Sequence, residues 1–70
     1  KLDLAVQTLE QAIRLSPDDP AILDHLADVY LESGRVTDAL NTYRSALALY
    51  KDDPKGARRI REKIRILEEQ

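Results

Sequence analysis

Residues 20–54 read PAILDHLADVYLESGRVTDALNTYRSALALYKDDP. Leu23, Leu26, Ala27, Tyr30 and Leu31 return at intervals of three and four, as do Ala39, Leu40, Tyr43, Ala46, Leu47 and Tyr50. No run alternates with period two, so the stretch predicts two helices rather than a hairpin of strands. The first opens at Pro20, whose fixed φ and missing N–H suit the first helical position, with Asp19 as N-cap. It stops before Gly34, which can take the left-handed conformation that ends a helix. Thr37 is the expected N-cap of the second, which opens near Asp38 and ends near Asp52. Ile22 and Val29 form a second apolar line that needs a further neighbour. Ala39 and Ala46 are small enough for a close helix crossing.

Working outward, the preceding residues predict a helix from about Asp3 to Leu15, with Ala5, Leu9, Ala12 and Ile13 on one stripe. Pro17-Asp18-Asp19-Pro20 closes it as a turn. After residue 53 a fourth helix is expected from Pro54 to about Glu68, burying a narrow stripe of Ala57, Ile60, Ile64 and Leu67. The expected fold is all-α, with four helices.

The chain also repeats. Residues 4–20 laid over residues 38–54 agree at seven of seventeen positions, namely Ala5/Ala39, Thr8/Thr42, Ala12/Ala46, Leu15/Leu49, Asp18/Asp52, Asp19/Asp53 and Pro20/Pro54. Chance gives roughly one. A 34-residue period of two helices resembles the tetratricopeptide repeat. Leu23, Leu26, Ala27 and Tyr30, then Ala39 and Tyr43, fall in register on its pattern W-x2-L-G-x2-Y followed by A-x3-F. The departures are Leu23 for the Trp, Ala27 for the Gly, and Lys51 at the closing Pro, so the third helix is expected to run slightly long.

This resemblance implies antiparallel helical hairpins stacked into a superhelix. It divides the chain into residues 1–19, the second helix of a truncated repeat; 20–53, a complete repeat; and 54–70, a C-terminal capping helix. The Asp24-His25-Leu26 opening and the Gly34-Arg35 turn resemble bacterial members, and the chain is expected to be a C-terminal piece of a longer protein. Arg61 lies one period after Ala27, where its bulk and charge suit a solvated end. At the other end the first helix lacks the partner a full repeat supplies, which leaves some of Leu2, Leu4, Val6 and Ile13 under-covered, and self-association through this helix is expected.

Composition bounds the function. Seventy residues, 43% apolar and 34% charged, make one small core. Ordering costs roughly 1.5 kcal/mol per residue against about 1.5–3 kcal/mol for each well-buried aliphatic side chain, so isolated stability is small. With no Cys and one His, disulfides and ordinary zinc sites are excluded. No Gly-rich phosphate loop or nucleophile motif is present, and neither catalysis nor a cofactor is expected. No apolar run reaches the length of a membrane span. No pattern assigns a compartment.

What remains is recognition. In arrays of this family the first helix of each repeat lines a concave groove, and the resemblance carries that role to Asp24, His25, Asp28, Leu31 and Glu32. On the last helix it carries it to Arg58, Arg59, Glu62 and Arg65. The expected partner is a protein or peptide and not a small-molecule substrate. Asp24 and Asp28 repel a terminal carboxylate, so no carboxylate clamp is expected. The alternatives are a solvated helix face, with the chain serving as an end-cap or oligomer contact of a longer array, and nucleic-acid binding through the last helix. Residues 55–70 hold six bases against three acids, whereas residues 1–54 hold five against ten. That basic run fits the exposed side of a cap better than a phosphate-binding surface on a chain of net charge −2. His25 and Asp28 on one helix are too few for a metal.

Overall fold

A computed structural model of the chain describes residues 2–70. Four helices follow one another: α1 Leu2–Leu15, α2 Pro20–Glu32, α3 Val36–Leu49 and α4 Pro54–Glu68. Each packs on its sequence neighbour, and the α2–α3 pairing is the most extensive. The described residues contain no strand.

The turns follow local chemistry. Asp19 accepts from the Ala21 amide at 3.0 Å, with Pro20 in the first turn, so the expected cap of α2 is present. Gly34 sits at φ +78°. The Gly34 amide donates to the Leu31 carbonyl at 3.1 Å and the Arg35 amide to the Tyr30 carbonyl at 2.9 Å, the double closure of a left-handed helix end. The Arg35 guanidinium then lies over the Tyr30 ring, 4.5 Å from its centroid.

Two expected boundaries need correction. Thr37 does not cap α3: the helix starts at Val36, and Arg35 occupies the cap position without a side-chain bond to the backbone amides of the first turn. The two bonds that close α2 leave no residue to spare, so the next helix begins directly after them. Nor does α3 run on to Asp52. It stops at Leu49, where the Tyr50 amide turns back to the Leu47 carbonyl. Asp53 then caps α4 by accepting from the Gly56 amide at 3.0 Å.

Ala27, Ala39 and Ala46 are all fully buried. Alanine at these places lets the helix axes approach closely, and Tyr30 and Tyr43 fill the remaining space. Ile60, Ile64 and Leu67 extend the core onto α4, and Val6 extends it onto α1. Val6 is covered, on the side of α1 that packs against α2. Leu2 and Leu4 are exposed, and Ile13 is half-buried.

Candidate protein-binding groove

Five side chains meet where α2, α3 and α4 converge. Asp24 and Asp28 stand one turn apart on α2, and the Lys63 ammonium of α4 donates to both, at 2.9 Å to Asp24 Oδ1 and 3.1 Å to Asp28 Oδ1. Arg59 donates to the other oxygen of Asp24 at 2.9 Å. The Tyr43 hydroxyl, rising from α3, donates to Asp28, and Lys63 lies 5.4 Å from the centroid of its ring. Asp24 is only 8% exposed. A carboxylate so placed needs charged partners, and no buried side-chain nitrogen or oxygen among the described residues lacks a hydrogen bond.

This pairing holds protons in place. Burial pulls the Lys63 ammonium down, but the two carboxylates outweigh it and hold Lys63 above its ordinary value of 10.5. Burial, followed by the hydrogen bond to Asp28, pushes the Tyr43 phenol well above 10.0. At neutral pH the lysine is a fixed cation and the tyrosine a fixed donor. Such groups position charge rather than exchange protons, which suits recognition.

Beside the network lies a concavity of about 220 Å³, lined by Asp28, Leu31, Tyr43, Lys63, Ile66 and Leu67. Leu31 and Ile66 form its open walls, 37% and 46% exposed. Tyr43 and Leu67 are buried beneath them, and Asp28 with Lys63 supplies the polar side.

The residues singled out from sequence divide by position. Leu31 and Asp28 line the concavity, whereas Asp24 and Arg59 are bound to each other beside it. His25, Glu32 and Arg58 are exposed. Glu62 and Arg65 are exposed and paired together on α4, with Arg65 also reaching Glu69 at 2.6 Å. Sequence reasoning missed Lys63, Ile66 and Leu67 as groove residues, along with the tyrosine floor.

A stack of antiparallel hairpins with alanines at its crossings defines a helical-repeat protein. The tetratricopeptide repeat model matches residues 1–64, and the chain belongs to that family. Members are in general non-catalytic modules that bind other proteins. Neither the curated proteins nor the solved structures hold a match to this chain. Among the described residues no helix is long and apolar enough to cross a membrane.

Proposed function

We propose that this chain captures a protein or peptide in the groove between α2 and α4, seating one apolar side chain of the partner in the Leu31–Ile66 slot. In this reading residues 20–53 are the complete repeat that carries the groove. Residues 1–19 are the second helix of an incomplete repeat, and 54–70 are the cap that supplies the far wall. Neither catalysis nor a cofactor has a part. The observation that carries the reading is two exposed aliphatic side chains over a buried tyrosine, with a fixed cation and carboxylate alongside. A partner gains apolar burial from the slot and orientation from the polar side.

Binding of nucleic acid finds less support. Arg59, Lys63 and Arg65 are already engaged with carboxylates of this chain, which leaves Lys55, Arg58 and Arg61 of the basic run. An end-cap without a ligand is the second reading, favoured by the charged outer side of α4.

Selection of a random-peptide library on the immobilised chain separates these readings. The groove reading expects peptides with an aliphatic or aromatic anchor, amide shift changes at Leu31, Tyr43 and Ile66, and about tenfold weaker binding in Leu31→Asp/Ile66→Asp. Asp28→Lys is a poor probe because it also breaks the bond to Tyr43. Absence of enrichment, or shifts confined to α1, overturns the groove and leaves the cap.

A further inference from the structure

The concavity between α2 and α4 has both walls and its floor from this chain, and its polar side has only one kind of group left to offer. The Lys63 ammonium is divided between two carboxylates, reaching Asp24 Oδ1 at 2.9 Å and Asp28 Oδ1 and Oδ2 at 3.1 and 3.4 Å. The Tyr43 hydroxyl gives its proton to Asp28 Oδ1. Leu31, Ile66 and Leu67 carry no polar side-chain atom. Every side-chain donor that lines the slot is therefore spent. What stays open is an acceptor: Asp28 Oδ2 receives only the 3.4 Å bond from Lys63, and the Asp28 side chain is 43% exposed.

The surroundings lean the same way. Glu32 follows Asp28 by one turn on the same flank of α2, exposed and without an ion-pair partner among the described residues. Asp24, Asp28 and Glu32 thus set three carboxylates against two cations, Arg59 and Lys63. Leu31 and Ile66 also stand in the last turns of α2 and α4, so the partial negative charge of two helix ends lies beside the slot. Little offsets it: α2 has no base in its last turn, Arg65 of α4 is bound by Glu62 and Glu69, and Arg35 is bound by Asp38.

We infer that the slot selects a partner segment whose apolar anchor is flanked by a cation, a lysine or arginine that donates to the free oxygen of Asp28 and is drawn by Glu32. This rests on the groove reading above and adds the partner's chemistry to it. Burying an anchor beside Asp28 strips water from that oxygen, and a charged donor in the partner restores the lost bond. A neutral N–H would satisfy the oxygen, but only a cation also answers the third carboxylate and the two helix ends. A segment with a carboxylate beside its anchor meets Asp28 and Glu32 and finds no free donor, so acidic segments are rejected.

Sequencing the peptides that the immobilised chain selects from a random-peptide library tests this. Expected are apolar anchors with lysine and arginine beside them in about threefold excess over aspartate and glutamate, relative to the unselected library. In the tightest selected peptide, changing that base to glutamine weakens binding about tenfold to the unaltered chain and about twofold at most to Asp28→Asn. Glu32→Lys, an exposed change that leaves the bonds of Lys63 in place, lowers the basic excess, and it decides alone if Asp28→Asn loses helicity by circular dichroism. Anchors enriched without charge bias, or with acidic neighbours, overturn the inference and leave the groove standing. Basic peptides enriched without an anchor also overturn it, as does a bias unchanged in Glu32→Lys. No enrichment overturns the groove and the inference together.

Discussion

Tyr30 and Tyr43 each combine a buried ring with a hydroxyl that reaches a carboxylate on a neighbouring helix. Tyr30 donates to Glu10 of α1 at 2.7 Å, as Tyr43 does to Asp28 of α2. Burial, then the bond to Glu10, pushes the Tyr30 phenol up to about 12. The folded chain holds this proton more tightly than the unfolded chain does, so the associated stability is whole below pH 10.0 and is lost as pH rises through about 12. Tyr43 and Lys63, also raised, add in the same direction. Urea unfolding at pH 9 and pH 11 should show a clear decline, shallower in Tyr30→Phe. An equal decline in both would remove Tyr30 from the account. These tyrosines were legible as core because they sit on a repeating apolar register. Lys63 was not, because a half-buried lysine between two aspartates is set by how α4 leans across α2, and periodicity along one helix carries no record of that lean.

For the helices, sequence and structure agree best where a residue acts on its own backbone, as Asp19, Pro20 and Gly34 do. They diverge where a neighbour decides: Thr37 yielded its cap to Arg35, and α3 stopped short of Lys51 despite the missing proline. Gly56 is the plainest case of such outside control. A methyl group there would lie 2.7 Å from the Tyr50 ring and 2.8 Å from an Asp53 carboxylate oxygen. Inside a helix Gly→Ala ordinarily adds about 1 kcal/mol of stability. Here Gly56→Ala should destabilise by about 1–3 kcal/mol in thermal or urea unfolding, because the ring and the cap must both move. In a Tyr50→Ala background the loss should shrink or reverse. A stabilising Gly56→Ala in the unaltered chain would show that the ring gives way without cost.

At the scale of the molecule the chain is a slab of 31 × 30 × 14 Å, each helix resting on the next. Stability in such a stack is a sum over neighbouring contacts and need not be uniform. α2 and α3 each have two packed neighbours, whereas α1 has one and buries fully only Val6. α4 also has one but buries five residues. Amide hydrogen exchange should therefore be slowest in α2 and α3, intermediate in α4 and fastest in α1. Uniform protection across all four helices would instead indicate all-or-none opening.

A column of like units can keep growing unless one unit forbids the next. On α4 the exposed Arg61 stands one period after the buried Ala27. Another hairpin could seat there only by entombing a cation, at a cost of several kcal/mol. The two edges of the slab thus differ: a cation stands exposed on α4, whereas α1 presents Leu4 and Leu15.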